Sequence, residues 1–338
     1  MLRLLLKSCG FVKKRNIMDT DTHSKLVLAV YIFTFLTGLP SNLLAFYTFL
    51  IKVRQRATPV DILLLNLTVS DLILLMFLPF KMDEAASNMM WRLPQFLCPL
   101  TGFCYYSSIY ISTLFLTAVS VERYLGVAHP IKYKLNRKPL YAVVASIIIW
   151  IVACANCSIV YIVQYRLPSN ETLSTNFTCY EQFSNEQLQI LLPVRLELGL
   201  FLFFVPFIVT VYCYVNFIRI LMSLPNIPAK RKQRAIGLAV ATLTNFVICF
   251  SPYNISHIVG FIQDDSPPWR VDALLLSTFN ASLDPIVFYF SSSAVQAMAC
   301  ECIVGITRKL RTICPCNCLC FSRCDGSVKE NSVDKSSG

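Results

Sequence analysis

Seven long apolar segments recur along the chain, and they constrain its fold more than any other feature. Each is long enough, at 1.5 Å per residue, to cross a bilayer core of roughly 30 Å as a helix. Hydrophobic residues make up 55% of the chain and charged residues only 14%, too little polar surface for a soluble protein. We therefore predict an all-α membrane protein, a seven-transmembrane helix bundle. Its segments are Leu26–Ile51, Pro59–Lys81, Phe96–Val127, Leu140–Val163, Leu188–Met222, Ile236–Ile262 and Val271–Phe290.

Charge in the loops predicts the orientation of this bundle. Basic residues concentrate in the first, third and fifth loops and in the C-terminal tail. The positive-inside rule places these in the cytoplasm and the N-terminus outside, as in a multi-pass plasma-membrane protein. The basic N-terminal tail runs against the rule, and Met18 is a second candidate start that would place residues 1–17 upstream. The predicted divisions are an extracellular tail (1–25), the bundle (26–290), an amphipathic membrane-surface helix (291–305) and a cytoplasmic, Cys-rich and disordered tail (306–338).

The third segment carries several hydroxyl groups at membrane depth, between Cys98 and Tyr124. Buried hydroxyls need protein or water partners, so we expect this helix to lie inside the bundle. Cys98 opens it, and Cys179 stands alone in the fourth loop, which predicts a disulfide between them. The same loop holds two acceptor sequons for N-glycosylation, at Asn170 and Asn176.

Polar side chains inside membrane segments indicate a function. Asp71 and Asp284 are two carboxylates near mid-membrane depth, which repel unless a cation or a proton lies between them. Ser112 and Asn280 are at similar depth. A sodium ion or a shared proton fits this set, and a water-mediated network that holds the helices in register fits equally well. We expect no other cofactor and no structural metal.

Prolines in the last three segments predict kinked helices and a conformational switch: Pro206, Pro252 and Pro285. Together with other motifs they give a resemblance to the rhodopsin-class G-protein-coupled receptors. The motifs are Gly38-Leu-Pro-Ser-Asn42, Leu67-Thr-Val-Ser-Asp71, Glu122-Arg123-Tyr124, Trp150, Pro206, Cys249-Phe-Ser-Pro252 and Asp284-Pro-Ile-Val-Phe288. The chain departs from the family pattern at Glu122, Phe250, Asp284 and Phe288, where Asp, Trp, Asn and Tyr are usual.

The resemblance implies a G-protein switch formed by Glu122, Arg123 and Tyr124. Arg123 would pair with Glu122 at rest and turn to the G protein on activation, while helix 6 swings outward. It also implies Gi and Gq heterotrimers, arrestin and membrane lipids as partners, and no nucleic acid. Basic residues at Lys230–Arg234 suit an acidic partner or anionic lipid.

Cations near the outer helix ends predict the ligand class. Arg195, Arg270 and His257 fall on three different segments, and Tyr253 shares a helix face with His257. If these faces converge, they form a site for a carboxylate. The upper third segment has no acidic residue, which disfavours a cationic amine.

Each of these residues also has a structural interpretation. Arg195 could pair with lipid phosphate or with Glu197, although two residues apart is the wrong helix face. Arg270 could form a solvated pair with a nearby aspartate, and His257 could be a packing residue. Glu181 follows Cys179 closely and could hold the arginines until a ligand displaces it.

Within the class, the chain is similar to the free fatty acid receptors, including their short-chain members. The similarity covers the whole bundle, in stretches such as Pro79–Asn88, Leu191–Leu198, Ser251–His257 and Asn280–Pro285. It implies that Arg195, Arg270, His257 and Tyr253 hold the carboxylate of acetate, propionate or butyrate, with Tyr106 and Tyr110 as walls. Asn156 stands where a histidine is expected, which leaves the preferred chain length open.

The C-terminal tail contains four closely spaced cysteines. They lie near basic residues, which favours palmitoylation at Cys314, Cys316, Cys318 and Cys320. A zinc site is less favoured, because zinc-binding pairs usually have two residues between the cysteines.

Two alternative functions remain, a receptor for another small carboxylate and a carboxylate transporter, although a transporter usually has repeated halves. No nucleophile–base pair or metal triad is apparent in the outer segments, so an enzyme is not expected.

Overall fold

The computed structural model describes residues 17–131, 133, 138–166, 179, 183–225, 227–292, 295–297 and 300–301. Within these ranges seven helices are long and apolar enough to span a membrane, and the structure contains no strand. The predicted all-α, seven-helix architecture is therefore confirmed. The helices are α1 (Asp21–Arg56), α2 (Pro59–Ala86), α3 (Leu97–Ala128), α4 (Pro139–Tyr165), α5 (Asn185–Ser223), α6 (Ala229–Gln263) and α7 (Arg270–Phe290).

Local sequence signals set several helix ends. Thr58 caps α2 by accepting a hydrogen bond from the Asp61 amide, and Pro59 supplies a first-turn residue with a fixed φ. Ser184 and Gln187 form a reciprocal capping box at the start of α5. Helical structure extends N-terminal of α1 as far as Ile17, before the apolar run that starts at Leu26. Polar residues before the apolar segments explain why α1 and α5 begin before Leu26 and Leu188.

Helix α3 occupies the centre of the bundle, as its hydroxyl-rich sequence predicts. In the most apolar window of α3, 72% of the residues are buried, against 22% in α4. Helix α4 instead exposes large aliphatic side chains, including Ile147, Ile148 and Ile151. Exposed apolar faces of this extent indicate contact with lipid.

Two helices change their hydrogen-bond register just before a proline. A π-helical turn at Leu200–Phe204 precedes Pro206 in α5, and another at Asn245–Phe250 precedes Pro252 in α6. Proline lacks an amide hydrogen, so the backbone changes its hydrogen-bond register beside it. In α7, Arg270–Thr278 and Asn280–Ser291 are separate helical pieces. Ser277 of α7 donates to the carbonyl of Cys249 at 2.8 Å and thus joins α7 to the irregular part of α6.

The segment after α7 is described in part. The chain becomes extended at Ser292, and residues 295–297 and 300–301 are helical. The other residues of the predicted surface helix (291–305) lie outside the described residues, as do the tail 306–338 and residues 1–16.

Candidate ligand-binding site

A cavity of about 310 Å³ opens between α3, α4, α5, α6 and α7. It lies at the end of the bundle where Cys98 of α3 is bonded to Cys179, which we call the disulfide end. The disulfide itself confirms the predicted pairing. The lining residues are Tyr106, Tyr110, Cys157, Ile159, Val160, Leu191, Arg195, Leu198, Tyr253, His257 and Arg270.

The two predicted arginines both face this cavity and are buried. Arg195 is 5% exposed and Arg270 is 3% exposed, so neither is a solvated surface cation. Glu197 and the nearby Asp272, by contrast, are exposed. Burial at the cavity wall favours the ligand-binding interpretation of the arginines over pairing at the surface.

Aromatic rings hold the guanidinium groups in place. Arg270 lies over the rings of Tyr106 and Tyr253, at 5.8 and 5.6 Å from their centroids. Those two rings stack on each other at 6.1 Å. Arg270 Nη2 also donates to the Tyr253 hydroxyl at 3.4 Å. Arg195 lies over Phe183 at 4.7 Å, and its Nη1 donates to Ser266 Oγ at 3.4 Å. Cation–π contacts of this kind keep a planar cation oriented at the cavity wall.

His257 adds a polar edge to the same cavity. Its ring contacts Tyr253 edge-on at 4.5 Å, which confirms that the two residues share a helix face. His257 Nε2 and the Tyr110 hydroxyl share a hydrogen bond of 3.2 Å. The other ring nitrogen, Nδ1, is buried with no hydrogen-bond partner among the described residues. A buried polar atom without a partner is costly, and a polar ligand atom would satisfy it.

The electrostatics of the cavity favour an anion. Two guanidinium groups lie in its wall, and none of the described lining residues is acidic. Buried cations are stable only when they are compensated by anions or hydrogen bonds. The remaining wall is apolar, so the geometry suits a small ligand with one anionic end and one apolar end.

A second set of buried polar residues lies at mid-depth between α2, α3, α6 and α7. Asn245 of α6 donates to Asn280 Oδ1 at 2.8 Å and to Asp284 Oδ1 at 2.6 Å. Asn280 donates in turn to Asp71 Oδ1 at 3.3 Å. Four buried oxygen atoms of this set have no hydrogen-bond partner within the described structure: Asp71 Oδ2, Ser112 Oγ, Asn245 Oδ1 and Asp284 Oδ2. Carboxylate and hydroxyl oxygens of this kind are suitable ligands for a hard cation. No cluster of three or more His, Cys, Asp or Glu side chains occurs in the described ranges.

Comparison with known proteins identifies the family. The model of the seven-transmembrane receptors of the rhodopsin family matches residues 41–288. Free fatty acid receptor 2 of Mus musculus is 57% identical over 82% of this chain and 85% of its own length. Free fatty acid receptor 2 of Homo sapiens is 54% identical over the same shares. Free fatty acid receptor 3 of Homo sapiens is 51% identical over 80% of this chain and 78% of its own. The chain belongs to the rhodopsin-family receptors, among the free fatty acid receptors. It is a receptor and not an enzyme, as the sequence predicts, and the transporter alternative is not favoured.

At the opposite end of the bundle, the receptor brings the predicted switch residues against α5 and the loop after α3. Glu122 accepts a hydrogen bond of 2.6 Å from the Tyr133 hydroxyl. The Tyr124 ring contacts Tyr212 of α5 edge-on at 5.9 Å. The pairing of Arg123 with Glu122 in the resting state stays a prediction.

Several predicted residues of the receptor lie elsewhere or outside the described ranges. Asn156 does not line the cavity, and it donates to the Val152 carbonyl of its own helix at 2.9 Å. Asn42, also at mid-depth, donates to Ala281 O at 2.7 Å and so joins α1 to α7. Glu181, the sequons at Asn170 and Asn176, and the cysteines Cys314, Cys316, Cys318 and Cys320 are not among the described residues.

Sequence reasoning missed part of the site. Leu191 and Leu198 form its apolar wall, and they are four residues before and three after Arg195, so helical spacing gave a usable signal. Asn245 was missed because a lone Asn in an apolar segment does not reveal which helix it faces. Lys81 and Glu84 line a second cavity that Arg270 also borders. In the sequence they stand out only as part of the family stretch Pro79–Asn88, with no role of their own.

Proposed function

We propose that this receptor binds short-chain fatty acids such as acetate, propionate and butyrate in the cavity at the disulfide end. The observation that carries the proposal is the pair of buried arginines at a small, largely apolar cavity. Arg195 and Arg270 would each offer a guanidinium edge to the carboxylate, and His257 Nδ1 would offer a third polar contact. The relatives that match over most of the chain are named free fatty acid receptors, which supports the same ligand class.

The apolar wall would take the short acyl chain. Leu191, Leu198 and Val160 supply its aliphatic surface, and Tyr106 and Tyr110 its aromatic surface. A ligand of about four to six heavy atoms gains at most about −6 to −9 kcal/mol, at a ceiling near −1.5 kcal/mol per atom. Affinity is therefore expected in the micromolar to millimolar range, which suits abundant metabolites.

Ligand binding would activate heterotrimeric G proteins at the Glu122 end. The carboxylate would draw together arginines on α5 and α7, with His257 on α6 between them, and the proline-interrupted parts of α5 and α6 would transmit that movement. Gi and Gq heterotrimers and arrestin are the proposed partners, with Arg123 as the contact to the G protein. Loss of the response with pertussis toxin would identify Gi, and a calcium signal that persists would identify Gq.

We also propose that a sodium ion or a shared proton lies between Asp71 and Asp284. The four buried oxygens without partners support this proposal, since a cation would satisfy them together. In this arrangement the ion would join α2 to α7 and favour the resting packing of α6.

The proposed orientation places the disulfide end outside the cell and the basic loops inside. The first turns of α6 carry the basic residues Lys230–Arg234, which favours the cytoplasm. Surface labelling of intact cells with an N-terminal epitope tag should succeed without permeabilisation. Labelling only after permeabilisation would reverse the orientation.

Arginine substitution tests the proposed function. Cells expressing the receptor would be titrated with acetate, propionate, butyrate and a long-chain acid, and G-protein activation would be measured. Arg195→Ala and Arg270→Ala should each lower propionate potency at least about tenfold, because removing one partner of a buried charge pair costs about 2–5 kcal/mol. Arg92→Ala is the matched control, because Arg92 is exposed and does not line the cavity. No response to any acid at millimolar concentration, with normal surface expression, would contradict the proposal.

A further inference from the structure

A second cavity lies on the other side of Arg270 and Tyr106, which border both cavities. It lies between α1, α2, α3 and α7, beside Cys179 of the disulfide. Two charged residues of α2, Lys81 and Glu84, complete its wall. Arg270 is thus within reach of a ligand from either side.

Glu84 is buried and uses both carboxylate oxygens. Oε2 accepts from Lys81 Nζ at 2.7 Å, and Oε1 accepts from the backbone amide of Cys179 at 2.9 Å. The side chains of Lys81 and Glu84 are 13% and 2% exposed. A pair this well buried interacts strongly, because the surrounding dielectric constant is low and salt screens it little.

Glu84 is the one acidic residue among the described residues that line the second cavity. Among the described residues of its wall, Lys81 and Arg270 carry positive charges and Glu84 a negative charge, which sum to +1. Without Glu84, the two cations of this wall would match a ligand with two carboxylates. With Glu84 in place, a second carboxylate that approached Lys81 would meet the like charge of Glu84 at close range.

We propose that Glu84 is a specificity-determining residue: by neutralising Lys81, it restricts the receptor to monocarboxylates and excludes short dicarboxylates. The inference rests on the proposed function, since it takes Arg270 as the anchor for one carboxylate. Specificity of this kind arises from repulsion of the wrong ligand as much as from attraction of the right one.

Glu84→Gln tests the proposal with little change of shape. The glutamine oxygen still accepts from the Cys179 amide, while the negative charge that pairs with Lys81 is lost. Propionate and glutarate, a five-carbon dicarboxylate, would be titrated at neutral pH on wild type, Glu84→Gln, Lys81→Gln and the double variant, with surface expression measured for each. Glutarate should gain at least about tenfold in potency in Glu84→Gln, and the double variant should lose that gain.

Each outcome bears on one claim. An unchanged glutarate response in a well-expressed Glu84→Gln variant overturns the inference, as does a gain that persists when Lys81 is also replaced. If Glu84→Gln does not reach the surface, Lys81→Gln alone decides. It leaves the Glu84 charge unpaired by Lys81 in the wall that Arg270 shares, so propionate potency should fall about threefold or more, and unchanged potency would contradict the inference. Failure of the wild type to respond to propionate would instead contradict the proposed function.

Discussion

Tyr110 of α3 and His257 of α6 share a hydrogen bond of 3.2 Å at the wall of the cavity that Arg195 and Arg270 line. The bond engages His257 Nε2 and leaves Nδ1 as the ring atom without a partner among the described residues. Tyr110 therefore orients the imidazole for a ligand and also contributes to the aromatic wall.

Tyr110→Phe should lower propionate potency by about three- to tenfold, because a lost hydrogen bond to a positioned group costs about 0.5–1.5 kcal/mol. The ring remains, so packing of the cavity should be preserved. Dose–response curves for G-protein activation measure the effect. Tyr161→Phe, on the α4 side and outside the cavity lining, is the control. Equal potency in Tyr110→Phe and wild type would show that the bond does not orient His257.

Arg270→Lys should restore little of the activity lost in Arg270→Ala. Lysine keeps the positive charge, but it loses the planar group that lies over Tyr106 and Tyr253 and the paired donors for a carboxylate. We expect propionate potency at least about tenfold below wild type. A lysine variant with wild-type potency would mean that charge alone is recognised and that the stacked geometry is irrelevant.

Asp71→Asn should remove the effect of sodium on the receptor. In wild type, replacing sodium by choline at constant ionic strength should raise agonist potency about threefold, because the ion favours the resting packing of α7 and α6. The variant should show the same potency in both salts. Asp83→Asn, an exposed residue of the same helix, should behave as wild type. A sodium effect of unchanged size in Asp71→Asn would mean that Asp71 does not bind the ion.

Gly237→Ala should raise the basal activity of the receptor about twofold by shifting its resting equilibrium. A Cβ at Gly237 of α6 would lie 2.6 Å from the Phe290 ring of α7, too close without movement of one helix end or of the ring. Gly126→Ala is the matched control, because its Cβ would make only ordinary contacts with Tyr133, from 3.5 Å. Signalling without agonist measures the effect.

A companion variant shows where the Gly237 effect comes from. Phe290→Ala combined with Gly237→Ala removes the ring that the new methyl group meets. Basal activity should then return toward that of Phe290→Ala alone. High basal activity in the double variant beyond that of Phe290→Ala would mean that the methyl group acts through another neighbour.

The sequence predicted the fold and the charged part of the site for clear physical reasons. Seven apolar segments require seven membrane helices. Arginines at the ends of such segments indicate a functional site, because a charged side chain is costly at membrane depth. Tyr253 and His257 were placed together because four residues make about one helical turn. These inferences depend on spacing within one helix, which the sequence contains.

Contacts between helices were harder to predict. The bond of Asn245 to Asp284 and the contact of Glu84 with Cys179 depend on how helices rotate against each other. The π-helical turns at Leu200–Phe204 and Asn245–Phe250 change the face that later residues present, and apolar periodicity does not reveal them. Asn156 illustrates the limit, since its helix turns the side chain back to Val152 and away from the cavity.

The most direct test of the account compares propionate with propionamide on the purified wild-type receptor in lipid nanodiscs with a G protein. The two molecules have nearly the same shape, and only propionate carries a charge for Arg195 and Arg270. The account predicts that propionate stimulates nucleotide exchange at concentrations up to the millimolar range, while propionamide at the same concentrations does not. Equal stimulation by both would contradict the claim that the buried arginines recognise a carboxylate.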